Sequence, residues 1–517
     1  MKNTSLFRRL LSVVLVLAMV GSMMVPAATA ETTRSSATTQ ELELISIDAG
    51  TLESHKLGKT EAPDASQKDV EYAATDVVRV SIVLDKASTM DTGFQLKGIA
   101  ANAEAKSYRE GLRADQTAMT AKIEKAIRGK LDVQWNLTLV ANIISANVQY
   151  GQIETIKALD GVKDVFLEAY YEAMREEENA DQPMNGSATG MTGSDIAWAD
   201  GYTGAGSRLA ILDTGVDIMH QSFDADALEY ALRQNAEAKG VSYDAYVESL
   251  NLLTPEKIEA VKDQLNANKN GDFDASKAYH SMKIPFMFNY SNKNYEASNA
   301  NDEAGHHGSH VAGISAANRF IKVGTEYKHA LEEVLTQGVA PDAQIIDMDV
   351  FEDKGGTYAS TYMAAIEDAI ILGCDSSNLS LGSSVAGFGY TYNDYEAVMN
   401  KLVENDMVCA FAMGNAYMWF DYNTGANANM YTGYLYTDDV GFLSGGSPAT
   451  FTNSLAVASS DNIGVTGMPL HFGDLRVFFR ESFADSKGNA YGNPPIWTPS
   501  KTTRMTMFWL TVPVLFL

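Results

Sequence analysis

An α/β fold built on a mainly parallel sheet with helices on both faces, preceded by a small α+β unit, is the class this sequence predicts. Three observations carry it. From residue 196 onward short apolar runs recur, at 208–215 (RLAILDTG), 343–350 (AQIIDMDV), 377–383 (SNLSLGS), 407–415 (MVCAFAMGN) and 454–461 (SLAVASSD). Runs of this kind suit parallel strands covered on both sides. Between them lie stretches of helical period, such as 361–373 (TYMAAIEDAIILG) and 395–406 (YEAVMNKLVEND), which is the alternation of a crossover sheet. Ahead of these, residues 76–170 read in the order β-α-β-β-α-β, the signature of a ferredoxin-like unit.

The elements of that first unit follow one another closely. Residues 77–84 (VVRVSIVL) alternate as a strand, 118–127 (AMTAKIEKAI) have helical spacing, and 131–140 and 142–149 read as strands. QIETIKAL is a short helix and GVKDVFLEA a last strand. Residues 171–195 are acidic and then rich in Gly and Ser, a linker composition exposed to processing. The second domain is expected over 196–462, interrupted at 224–300 by an acidic, Asn-rich, helix-prone insertion.

The termini set the cellular context. Lys2, Arg8 and Arg9 precede an apolar run at 10–20, and Ala28-Thr29-Ala30 offers small residues for cleavage. Residues 1–30 are therefore expected to be a secretory signal, with an extracellular destination; residues 31–75 are a polar, poorly ordered stretch. The net charge of −27 excludes nucleic acid as a partner, since phosphate binding needs a basic face. Cys374 and Cys409 are the only cysteines, too few for a disulfide framework and expected to be inert buried thiols.

Parallel sheets present their chemistry at the carboxyl ends of strands, and three polar residues fall there. Asp213 ends AILD before the Thr214-Gly215 turn, His307 opens the run SHVAGISAAN within DEAGHHGSHVAG, and Asn415 follows Gly414 at the end of VCAFAMGN. A carboxylate to orient an imidazole, an imidazole to take a proton and an amide to hold an oxyanion are three parts of an acyl-transfer site. A zinc cluster of His306, His307 and His310 is the competing reading, without HExxH or carboxylate spacing to accompany it. Residues 266–277 (NANKNGDFDASK) resemble a calcium loop with Gly271 at the sixth position, but Lys277 stands where a bidentate Glu belongs. No metal or other cofactor is required by this reading.

AILDTGVD, GHHGSHVAG and FAMGN, in that order, resemble the Asp, His and oxyanion-Asn blocks of the subtilisin-like serine peptidases, and the cell-envelope members in particular. Residues 198–217 also resemble that family's mature N-terminus, and the unit at 76–170 is similar to its propeptide, an intramolecular chaperone and inhibitor. The resemblance implies a subtilisin-like sheet, Asp213 as the orienting carboxylate, His307 as the general base and Asn415 as the oxyanion donor. Ser380, Leu381 and Gly382 match the strand that pairs with substrate backbone by β-augmentation. It further implies a secreted zymogen acting on protein or peptide substrates, inhibited by its own propeptide, with cell-wall association of the full-length protein.

The family's nucleophile lies in a G-T-S-M-[AS]-x-P block, and residues 416–517 contain none. Residues 463 onward resemble the entry to a protease-associated insert, after which 486–517 hold no Asp or Glu. An out-of-frame or truncated end is the expectation, and a chain without the Ser is expected to be inactive. The alternative is a secreted, non-catalytic peptide-binding pseudopeptidase.

Overall fold

A computed structural model describes residues 72–173, 185–298, 306–353, 355–382, 393–404 and 406–414, followed by the short pieces 419–421, 426–428, 440–442, 446–451, 454–458, 468–472 and 475–479. The signal segment, most of the polar stretch after it, residues 174–184 of the predicted linker, Asn415 and everything beyond 479 lie outside the described residues.

The N-terminal unit comprises β1 (Val77–Leu84), α1 (Ala103–Ile127), β2 (Asp132–Leu137), β3 (Ile143–Gln149), α2 (Ile153–Lys157) and β4 (Val162–Leu167). Its sheet runs β2-β3-β1-β4 with antiparallel neighbours, the ferredoxin-like order that two interleaved β-α-β crossovers produce. Strand periodicity explains its two faces. Val78, Val80, Ile82 and Leu84 pack with Ile123 of α1 and Ile156 of α2. On the opposite face Ser81 and Ser145 turn their hydroxyls toward the main domain, Ser81 to Tyr395 at 2.6 Å and Ser145 to Ser360 at 2.9 Å.

A strand β5 (Tyr170–Ala173) follows, and the main domain then runs as β6 (Arg208–Asp213), α3 (Ala225–Ala238), α4 (Tyr243–Leu250), α5 (Pro255–Val261), β7 (Phe286–Asn289) and α6 (His307–Ala316). A hairpin of β8 (Phe320–Val323) and β9 (Glu326–His329) leads to β10 (Gln344–Asp349), β11 (Gly356–Tyr358), α7 (Ala359–Ile371), β12 (Ser376–Leu379), β13 (Leu381–Gly382), α8 (Asn393–Glu404), β14 (Val408–Ala412) and β15 (Leu455–Val457). The main sheet is six-stranded in the order β15-β14-β12-β6-β10-β7, parallel at every pairing. Ala312 and Ala316 let α6 sit close on Ile211 and Ile345. On the other face α7 is buried along its whole length, because the N-terminal unit covers the side that the sheet leaves open.

The structure departs from the sequence-based expectations in three places. Residues 286–289, inside the span read as an insertion, form β7 and pair with β10; four buried residues are too few for a periodic signal. The run 377–383 breaks at Ser380 into β12 of the main sheet and β13 of another. Across the start of the predicted linker Tyr170–Ala173 is a strand, and within it Asn185–Thr192 is a helix. The strand's partners, β11 and β13, come from the other domain, so nothing local in the linker announces it.

Candidate active site

Strand β6 stops at Asp213 because Gly215, at φ 86°, turns the chain in a conformation that side chains disfavour. Asp213 is fully buried. Its Oδ1 accepts the Thr214 N–H at 2.8 Å and lies 2.7 Å from Nδ1 of His307. This bond assigns the proton to Nδ1 and leaves Nε2 as the basic nitrogen.

His307 is the first residue of α6, and its position over Asp213 is fastened by its neighbours. A Cβ on Gly308 would come within 2.2 Å of the Gly215 carbonyl oxygen, so only glycine permits this approach. The Gly308 N–H donates to Oγ1 of Thr214 at 3.0 Å, and Oγ of Ser309 accepts the Asp217 N–H at 2.7 Å. The first turn of α6 is thereby stitched to the turn after β6. His306 and His310 are exposed, and among the described residues no three His, Cys, Asp or Glu side chains form a group that could hold a metal.

Ser380 lies between β12 and β13 and brings Oγ within 3.4 Å of His307 Nε2. Leu381 and Gly382, as β13, pair antiparallel with Ala173 and Glu172 of β5, and β11 pairs with the other edge of β5. The segment that leaves the N-terminal unit thus lies as the middle strand of a three-stranded sheet, and its partner β13 starts one residue after Ser380. The sequence reading located Ser380–Gly382 but missed both β5 and β11. Beside these residues a cavity of about 200 Å³ is bordered by His307, Ile314, Asn378, Ser380 and Phe411. Asn415 falls outside the described residues; Gly414, just before it, has φ 101°.

A second buried carboxylate stands close by. Asp347 on β10 is fully buried, and no hydrogen bond closes on either of its oxygens among the described residues. Burial pushes this carboxyl well above the ordinary carboxylate range; the nearby Val216 N–H offsets part of the effect and the Asp213 charge adds to it. Sequence patterning had no means of singling it out.

The stretch resembling a calcium loop spends its side chains on the protein. Asn266 Nδ2 donates to Ala364 O and Glu367, Asn268 Oδ1 accepts the Phe273 N–H, and Asp274 caps residues 275–278. Burial pushes both thiols up, Cys409 to about 11, which leaves them poor nucleophiles.

The subtilase family, peptidase S8, matches residues 204–505. Over 394 residues the chain is 26% identical to the PI-type proteinase of Lactococcus lactis subsp. cremoris and to the PII-type proteinase of Lacticaseibacillus paracasei, covering 75% of this chain and 18% of each relative. It is 25% identical over 339 residues to the minor extracellular protease Vpr of Bacillus subtilis (strain 168), covering 63% of this chain and 34% of that protein. The chain therefore spans a minor part of these relatives' lengths. Among solved structures, the epidermin leader peptide processing serine protease of Staphylococcus aureus aligns with a TM-score of 0.41 and 16% identity, over 75% of this chain and 70% of that one.

Proposed function

Because the chain belongs to the subtilase family of serine peptidases, we propose that it derives from a secreted endopeptidase precursor in which Asp213, His307 and Asn415 are the carboxylate, base and oxyanion donor. The observation that carries this is the 2.7 Å bond between His307 Nδ1 and the buried Asp213 at the carboxyl end of a central parallel strand. In peptide hydrolysis His307 Nε2 takes the proton of an attacking hydroxyl, Asp213 stabilises the imidazolium, and the Asn415 amide donates to the carbonyl oxygen as it gains charge. The imidazolium then returns the proton to the leaving amine.

No Gly-Thr-Ser-Met block lies within residues 416–517, so on this reading a polypeptide limited to these residues supplies the base without that nucleophile and is proposed to lack activity. The pairing of β5 between β11 and β13 supports the N-terminal unit as the propeptide, its end lying where substrate backbone adds as a strand. Ser380, Leu381 and Gly382 then form the substrate-binding edge, and secretion, processing within 171–195 and cell-wall association belong to the same reading. The same ladder supports the second reading, a non-catalytic peptide-binding pseudopeptidase.

A serine-directed fluorophosphonate tests this. The polypeptide of this sequence is expected to take no label, whereas the native secreted product of the gene labels and loses the label in His307→Ala. Absence of label from a well-expressed native product supports the binder instead. Label on the present polypeptide that Ser380→Ala abolishes overturns the account of an absent nucleophile.

A further inference from the structure

We infer that the inserted stretch between β6 and α6, which carries β7, is a second grip on the chain's own N-terminal unit, retaining that unit on the main domain after the connecting segment is cut. This rests on the reading of the unit as an inhibitory propeptide and names the part of the molecule that governs its release.

The contacts come from three separate parts of the region after β6. Arg113 of α1 donates to the carbonyl oxygens of Asp263 and Gln264 at 2.6 and 2.9 Å, and Gln264 Nε2 returns a bond to Ala100 O at 2.8 Å. Lys269 Nζ donates to the carbonyls of Val133 and Gln134 on β2 at 2.5 and 2.6 Å. Lys293 Nζ reaches Gln134 Oε1 at 3.0 Å. Between the two lysines Trp135 is 2% exposed, its ring 5.9 Å from that of Tyr290, with Lys293 and Lys269 at 5.2 and 5.8 Å from its centroid.

The insertion is anchored before it reaches out. Asp368 of α7 accepts the N–H groups of Asn266 and Ala267 at 2.6 and 2.9 Å and the Tyr290 hydroxyl at 2.8 Å. A segment held this way presents Lys269 and the 263–264 carbonyls from a fixed base. The interface is not close-packed throughout: a cavity of about 210 Å³ lies among Arg113, Trp135, Asn136, Leu265 and Lys269. Charge-assisted hydrogen bonds to carbonyls, roughly twice as strong as neutral ones, and cation–π contacts therefore add to the apolar cluster that Trp135 shares with Leu265, Ala267 and Tyr290.

The test uses the full chain with a site for a sequence-specific protease replacing residues 178–183. After cutting, dissociation of the N-terminal fragment is followed by gel filtration, with circular dichroism checking that each variant is folded. The fragment of the parent is expected to remain bound. Lys269→Met with Lys293→Met is expected to speed release at least ~10-fold, and Arg113→Ala, which removes contacts from the other side, to do likewise; ~10-fold corresponds to about 1.4 kcal/mol, within the range of one or two such bonds. Release of both variants at the parent's rate overturns the grip and leaves the inhibitor reading standing. Immediate loss of the parent's fragment overturns both.

Discussion

Asp213 and Asp347 stand on adjacent parallel strands, two residues apart in register and both fully buried, yet their hydrogen-bond surroundings differ. Asp213 has an imidazole and a backbone N–H on Oδ1. Asp347 has no hydrogen bond on either oxygen among the described residues, and its carboxyl is pushed toward the neutral form. Glu367 on α7 completes the contrast: its Oε1 accepts the N–H groups of Thr138, Leu139 and Val140, its Oε2 that of Asn266. All three are buried. Distant segments decide which buried carboxylates receive donors.

The comparison predicts different responses to substitution. The largest is expected at Glu367, where Glu367→Ala strands three buried N–H groups and leaves Arg109, 3.6 Å away and 3% exposed, without its carboxylate. A loss of about 3–5 kcal/mol follows from breaking a buried pair, read as a fall in the denaturation midpoint. A loss under ~1 kcal/mol would mean that the Thr138, Leu139 and Val140 N–H groups do not depend on Glu367.

Gly308→Ala comes next. Its Cβ must move away from the Gly215 carbonyl, and overpacking of this kind costs about 1–3 kcal/mol. The strain falls on the pair of turns that hold His307 over Asp213, so the imidazole's proton resonances should shift with stability. An unmoved His307 spectrum would show that the stitching is not what positions the ring.

The most diagnostic effect belongs to Asp347. Its folded-state pKa is raised, so the unfolded chain loses this proton first as pH rises. Stability should be intact below the ordinary carboxylate range and decline above it by up to ~1.4 kcal/mol per pH unit until the folded-state group also ionises. Asp347→Asn removes that component, and urea midpoints between pH 4 and 8 should diverge in the variant's favour as pH rises. Parallel profiles would mean that Asp347 has a charge partner after all.

Much of the fold was legible because its signals are local. Strand alternation in 77–84, helical spacing in 118–127 and the apolar runs between 208 and 415 report burial over a few residues, whereas Leu455 and Val457 of the run at 454–461 are exposed. Elements that owe their order to remote partners were not legible. Tyr170–Ala173 reads as linker because its ladder is made with Gly356–Tyr358 and Leu381–Gly382. Phe286–Asn289 reads as insertion because its partner β10 lies some sixty residues on.

At the site, the sequence by itself determined which residue types were available: a carboxylate before a Thr-Gly turn, a histidine followed by the glycine that its close approach requires, and a Ser-Leu-Gly edge. Those are properties of short stretches, where turn chemistry and steric demand act within a few bonds. Only the tertiary structure decided that Asp213 and His307, 94 positions apart, meet at 2.7 Å, that Ser380 faces the same imidazole, and that Asp347 is buried with no hydrogen bond closing on its oxygens among the described residues. Hydrogen bonds and desolvation depend on what surrounds a group, and in a folded chain most of those surroundings come from residues far away in sequence.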